Sequence, residues 1–139
     1  MKKMMLAFLI VPALFIFACS SALQVTEIDS WLSAKGGGAK ASVNITGKWQ
    51  DSMNESDSFL SWGQGELIQK GDKVTGNIGT YIISGIVSGN SVYLVMYDKM
   101  AVQYTAKFEL RDNKELYGSY YSARDRDQAG PTPMAFKKL

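Results

Sequence analysis

Short stretches in which every second residue is apolar follow one another along the last hundred residues of the chain. In residues 102–110, for example, Val, Tyr, Ala, Phe and Leu alternate with Gln, Thr, Lys and Glu. Successive side chains of a strand point to opposite faces, so this spacing predicts a strand with one apolar and one polar face. The same pattern predicts eight strands, at residues 43–50, 65–69, 74–78, 82–87, 92–97, 102–110, 116–122 and 134–138.

The connections between these strands differ in length. Three have the composition of hairpin turns: Lys70-Gly71-Asp72-Lys73, Ser88-Gly89-Asn90-Ser91 and Arg111-Asp112-Asn113-Lys114. Residues 51–58 and 123–132 form longer loops. In an up-and-down meander alternate connections lie at opposite ends, so the tight turns close one end and the long loops lie at the other. We therefore predict an all-β fold, an eight-stranded up-and-down antiparallel β-barrel whose first and last strands pair.

Side chains on the outside of this barrel lead to two further expectations. In residues 92–97 the outward positions Tyr93, Val95 and Tyr97 are themselves apolar, which predicts that part of the outer wall is covered or amphipathic. The open end is expected to be surrounded by the charged residues of the long loops. These are Asp51, Glu55, Asp57, Arg124, Asp125, Arg126 and Asp127.

The N-terminus has a different character from the predicted barrel. Lys2 and Lys3 precede a nearly unbroken apolar run over residues 4–17. The run has the length of a secretory signal and is shorter than the ~20 apolar residues that span a bilayer. We therefore divide the chain into a signal peptide at residues 1–18, a tether at residues 19–42 and a β-barrel domain at residues 43–139.

A small residue, Ala18, stands directly before Cys19, and Ser20 follows it. This arrangement resembles the lipobox of bacterial lipoproteins. The resemblance implies that Cys19 becomes the mature N-terminus and is joined to the membrane through a diacylglyceryl thioether. It also implies the cell envelope as location, and in a Gram-negative organism the outer membrane, facing the periplasm. The alternative is an ordinary signal peptide, or an uncleaved anchor, with a chance cysteine at position 19.

Composition argues against several classes of function. The chain has 15 Lys plus Arg against 13 Asp plus Glu, and without Lys2 and Lys3 the two signs balance, so no basic surface for nucleic acid is predicted. It contains no histidine and one cysteine, and the glycines show no phosphate-binding spacing. The usual catalytic triads and histidine-rich metal sites cannot be built from these residues. We expect no enzyme activity, no metal and no cofactor.

The tether carries a possible short helix. Thr26 is predicted to cap it, with Asp29 as reciprocal partner, and Gly36 to end it before a flexible glycine joint. Two alternatives fit this segment: Trp31 and Leu32 dock against one end of the barrel, or the segment is a mobile spacer. The tether is expected to enter at the closed end, so that the open end faces away from the lipid. The apolar face of this helix would consist of Val25, Ile28 and Leu32.

Gly47-Lys48-Trp49 in the first predicted strand resembles the Gly-x-Trp signature of lipocalins, and the whole barrel is similar to small lipocalin-like or avidin-like (calycin-type) barrels. The resemblance implies that Trp49 plugs the closed end. Lipocalins carry an arginine over this tryptophan, whereas the last predicted strand here offers Lys137 and Lys138. An eight-stranded barrel is just wide enough to be filled by side chains or to hold one small ligand.

Two functions fit such a barrel. In the first, the interior binds a small apolar or amphipathic ligand, with Gln64 and tyrosine hydroxyls orienting its polar end. In the second, the barrel is filled and acts as an interaction or inhibitor module for an envelope protein, as barrel-shaped periplasmic inhibitors of lysozyme do. The docking surface would then be the long loops or Tyr93, Tyr97, Tyr117 and Tyr121. The residues predicted to point inward are Trp62, Tyr81, Met96, Tyr104, Phe108, Tyr120 and Phe136.

Overall fold

The computed structural model describes residues 22–54, 56, 61–123 and 130–139 of the chain. The predicted signal peptide, Cys19, Glu55, Asp57 and residues 124–127 lie outside the described residues. Within them, eight antiparallel strands form a closed barrel in simple up-and-down order, and β1 pairs with both β2 and β8, which confirms the predicted fold. The strands are β1 (Gly47–Asp51), β2 (Gln64–Lys70), β3 (Lys73–Ile78), β4 (Tyr81–Ser88), β5 (Ser91–Tyr97), β6 (Val102–Arg111), β7 (Glu115–Ser122) and β8 (Thr132–Lys138).

The three predicted hairpin turns lie together at one end, which we term the closed end. Lys70 pairs with Lys73, Ser88 with Ser91 and Arg111 with Glu115, so each turn contains two or three residues. The connections that follow β1, β3, β5 and β7 lie at the opposite end, which we term the mouth.

Side chains from all eight strands fill the body of the barrel. Trp49, Phe108 and Phe136 are the largest of the fully buried side chains, and Leu67 and Met96 pack in the same core. At roughly 25 cal/mol per Å² of apolar surface removed from water, this core is the main stabilising contribution to the fold.

The first strand is shorter than predicted, since it begins at Gly47 and not at Val43. In the residues before Gly47, hydrogen bonds to the side-chain amide of Gln69 take the place of backbone hydrogen bonds between strands. Its Oε1 accepts the backbone N–H of Ile45 at 3.0 Å, and its Nε2 donates to the carbonyl oxygen of Val43 at 2.9 Å. The segment therefore crosses the closed end, and Ile45 is buried in the core there.

The predicted helix is present, but its start and its docking place differ from the prediction. A 3-10 turn (Val25–Glu27) leads into α1 (Ile28–Gly36), and Gly36 is the last helical residue, as predicted. The predicted cap was wrong, because the reciprocal pair is Gln24 with Glu27 and not Thr26 with Asp29. Neither helical element in the described part of the chain is long and apolar enough to cross a bilayer.

The helix lies along the outer wall of the barrel and not across one end. Ile28 and Leu32 are buried in a second cluster with Val95 of β5, and Tyr93 and Tyr97 pack against it. This contact confirms the expectation that the outer face of residues 92–97 is covered, and it shows that the helix is docked and is not a mobile spacer.

Val102 was predicted on the inner face together with Tyr104, and this was wrong. The β5–β6 register shifts between Met96 and Tyr97, so that Val102 pairs with Tyr97. Because a bulge reverses the alternation of a strand locally, Val102 packs in the outer cluster beneath the helix while Tyr104 packs against the core.

Candidate functional site

Four aromatic side chains from separate parts of the chain converge at the mouth. Trp62 precedes β2, and its ring centroid lies 4.8 Å from that of Tyr104 on β6 and 4.7 Å from that of Tyr120 on β7. Tyr81, at the start of β4, is 6.1 Å from Trp62 and 5.7 Å from Tyr104, edge-on in both cases. We term these four residues the aromatic cup.

The aromatic cup borders a cavity of about 350 Å³ that opens at the mouth. Ser61, Gly79 and Thr80 complete its lining. All four aromatic rings are half-buried, so each contributes an accessible apolar surface beside a phenolic or indole polar atom. Below the cup, Phe136 lies 6.0 Å from Trp62 and is fully buried in the core.

Asp51, at the mouth end of β1, holds Trp62 in place. Its Oδ1 accepts the backbone N–H groups of Met53 and Asn54 at 2.9 and 3.0 Å, and its Oδ2 accepts the backbone N–H of Trp62 at 2.9 Å. Asp51 lies at the open end, as expected, but its side chain is fully buried there. The carboxylate pins both ends of the β1–β2 connection and thereby positions the tryptophan.

Sequence reasoning missed this role because Asp51 was grouped with the charged loop residues. A local signal was present: an Asp whose side chain binds the backbone two and three residues later is a common device at the start of a turn. Its bond to Trp62, eleven residues away, has no counterpart in the sequence pattern.

The other predicted ligand-binding residues lie apart from the cup. Met96 and Phe108 are fully buried among the core side chains and do not line the cavity. Gln64 is exposed on the outer face of β2, where its Nε2 donates to Oε1 of Gln50 at 3.5 Å. The structure thus brings together Trp62, Tyr81, Tyr104 and Tyr120 and separates them from the remaining three.

Trp49 occupies the closed end. It is fully buried, and its Nε1 donates to the carbonyl oxygen of Ile45 at 2.9 Å. The Lys138 ammonium lies 5.6 Å from the centre of the indole ring, at the position for which the lipocalin resemblance led us to look for an arginine. Gly47 leaves the room for this, because a Cβ at position 47 would lie 2.6 Å from Cε of Lys138.

A larger cavity of about 490 Å³ lies outside the barrel, between the end of the helix and the closed-end turn at Gly71 and Asp72. Its lining combines the end of the helix, the segment that follows it, the Gly71–Asp72 turn and Ile86, and it contains no aromatic side chain. Ligand sites combine apolar or aromatic surface with a few placed polar groups, so the cup is the better candidate despite its smaller volume.

Within the described residues, no group of three or more His, Cys, Asp or Glu side chains is placed to hold a metal ion. Comparison with protein-family models matches none of them, and comparisons with curated proteins and with solved structures find no significant match.

Proposed function

We propose that this protein is a lipid-anchored protein of the cell envelope whose aromatic cup binds a small amphipathic molecule. The observation that carries the proposal is the convergence of Trp62, Tyr81, Tyr104 and Tyr120 on a cavity of about 350 Å³ above a filled core. This volume falls in the lower part of the roughly 300–1,000 Å³ range of small-molecule sites.

The proposed ligand lies at the mouth and not deep in the barrel. An apolar portion would contact the rings of Trp62 and Tyr81, while a polar end would reach the tyrosine hydroxyls or the side chains of Ser61 and Thr80. Aromatic rings with a polar atom at one edge suit a ligand of this mixed character. Since Met96 and Phe108 are enclosed by core side chains, they support the cup from below.

Quenching of Trp62 by a brominated acid tests the cup. We expect 8-bromooctanoate, an amphipathic acid whose bromine quenches an indole that it contacts, to quench the full chain with saturation. Replacing Trp62 with Phe keeps an aromatic ring and should abolish the saturable quenching. The matched variant Trp31→Phe changes the indole on the helix outside the barrel wall, which does not line the cavity, and should leave the titration unchanged.

A second pair of variants measures affinity through the same signal. Tyr81→Ala should weaken binding about tenfold, the effect of losing roughly 1.4 kcal/mol of aromatic contact. Tyr121→Ala, which removes an exposed tyrosine from the outer wall, should have no effect. Equal quenching in the Trp31→Phe and Trp62→Phe variants would refute ligand binding in the cup.

Processing at Cys19 tests the anchor. We expect mass spectrometry of the native chain to show residues 1–18 removed and acyl chains on Cys19, because the thioether must form before cleavage at a lipobox. The Cys19→Ser variant should keep residues 1–18, whereas the neighbouring Ser21→Ala variant should be processed as the parent is. Normal cleavage of Cys19→Ser would instead identify an ordinary signal peptide.

The filled core favours a second candidate, a module that docks an envelope protein. Tyr117 and Tyr121 are 37% and 49% exposed on the outer wall, and the Arg111 guanidinium stacks 3.8 Å from the Tyr117 ring. Tyrosine and arginine are frequent at binding hot spots. Tyr93 and Tyr97, however, pack against the helix cluster, so the predicted surface is smaller than expected. Recovery of a partner that Tyr121→Ala loses, beside an unquenched Trp62, would favour this function.

A further inference from the structure

The N-terminal helix determines where the chain leaves the barrel on its way to Cys19. At the end of the helix, the carbonyl oxygen of Gly36 accepts a hydrogen bond from the hydroxyl of Ser88, beside the closed-end turn between β4 and β5. Before the helix, Leu23 is buried in the same cluster as Val102 and Ala123, which lie at the mouth ends of β6 and β7. The chain therefore leaves the barrel wall beside the mouth.

The distance from this point to Cys19 is short. Only four peptide units separate Cys19 from the buried Leu23, and at about 3.6 Å each they span roughly 14 Å at most. The ten residues of β6, at about 3.3 Å per residue and a tilt of about 40°, make the barrel roughly 23 Å tall. Because this reach is shorter than the height of the barrel, a chain that starts beside the mouth is long enough to bring Cys19 to the level of the mouth but too short to bring it to the closed end. The tether does join the barrel at the closed end, as expected, where Ala41 bridges Gly89, but the helix that precedes Ala41 runs back along the wall toward the mouth.

Two apolar side chains are exposed at the mouth. Met100, between β5 and β6, is 89% exposed, and Met53, two residues after β1, is 50% exposed. Exposed, flexible apolar side chains at loop tips suit insertion into the boundary between lipid headgroups and acyl chains. Charged residues lie at both ends of the barrel, and Leu139 is 59% exposed at the closed end. The choice between the two ends therefore rests on the short reach of the chain from Leu23 to Cys19.

We propose that the mouth of the barrel lies against the lipid surface that holds Cys19, with Met53 and Met100 in the membrane interface. The inference rests on the lipid anchor proposed above and deepens the proposed ligand site. A cup that opens onto the bilayer would receive its amphipathic ligand directly from the lipid phase. The closed end would face away from the membrane.

Depth-dependent quenching of two labels tests this orientation in the full lipidated chain. Met100→Cys places a thiol at the mouth, and Lys114→Cys places one at the closed end. In each variant the label is an environment-sensitive fluorophore, since Cys19 is blocked by its thioether. The protein is reconstituted into phosphatidylcholine vesicles with and without a nitroxide at headgroup depth. We expect the mouth label to be quenched at least threefold more than the closed-end label. Thr80→Cys, a polar mouth position, should behave as Met100→Cys does.

The possible outcomes separate this inference from the proposed function. Equal or stronger quenching at position 114 would overturn the orientation, as would the absence of quenching at both ends in protein that floats with the vesicles. Protein that fails to float, and whose Cys19 carries no acyl mass, would remove the anchor and the orientation together. Saturable quenching of Trp62 by 8-bromooctanoate would still stand in any of these cases, because that titration does not depend on the orientation.

Discussion

Replacing Gly118 with alanine is expected to lower the free energy of unfolding by about 3 kcal/mol or more, or to prevent folding. Gly118 lies in the middle of β7, where it pairs with Phe108 of β6 and Met134 of β8. A Cβ built at this position overlaps the backbone carbonyl of Lys107 and lies 2.8 Å from Cα of Phe108. The obstacle is backbone held by the sheet on both sides, so relief requires β6 and β7 to separate.

Thermal unfolding followed by circular dichroism measures the effect of Gly118→Ala. A loss of this size should lower Tm by roughly 10–20 °C in a domain of about a hundred residues. Gly130→Ala is the matched control, because none of the described residues lies within 4 Å of a Cβ at that position, and we expect its Tm to stay within about 3 °C of the parent. Equal melting of the two variants would show that β6 and β7 do not approach as closely as the structure has them.

The strand pattern could be predicted from the sequence because alternation and turn composition are local properties. The strands predicted at residues 65–69, 74–78 and 116–122 agree with the observed strands within one residue at each end. The three hairpin turns could be predicted because Gly, Asp or Asn stands at the positions that need a left-handed backbone. Gly71, Asp112 and Asn113 all have positive φ. Closure of the barrel was expected because the connections between the eight predicted strands alternate between two ends, as they do in up-and-down barrels.

Strand predictions failed where a contact with a residue distant in the chain determines the local backbone. Val43 and Ile45 continue the alternation of β1, yet the Gln69 amide binds their backbone and takes them out of the sheet. Val102 continues the alternation of β6, yet the register shift beside Tyr97 turns it outward. The hydrogen bonds of the Gln69 side chain and the bulge between β5 and β6 form only in the assembled barrel. The spacing of residues along one segment therefore cannot reveal them.

The candidate site, too, could be predicted from the sequence only in part. Parity placed Tyr81, Tyr104 and Tyr120 inward, and the structure places their rings together at the mouth. Parity could not say which inward side chains are accessible from the mouth, so Met96 and Phe108 were grouped with the tyrosines although both are fully buried in the core. Accessibility depends on how side chains from different strands pack in the assembled barrel, which the spacing along one strand does not reveal.

Replacing Asp51 with asparagine is the second change with a large expected effect, about 2–3 kcal/mol of stability. The carboxylate accepts hydrogen bonds at both oxygens, from Met53 and Asn54 on one side and from Trp62 on the other. An amide accepts at one oxygen only and presents two N–H groups at the other position. Either the two loop N–H groups or the Trp62 N–H must then face another donor, in a site with no access to solvent.

Asp98→Asn is the matched control for this change. Asp98 also accepts two backbone N–H groups at Oδ1, from Met100 and Ala101, and the Gln103 amide at Oδ2. It is half-buried, so water can replace a lost partner, and we expect a cost of about 1 kcal/mol or less. The Asp51→Asn variant should also weaken the quenching of Trp62 by 8-bromooctanoate, because the tryptophan loses its backbone anchor, whereas Asp98→Asn should leave it unchanged. If the two asparagine variants melt together and quench alike, Asp51 does not hold the cup in place.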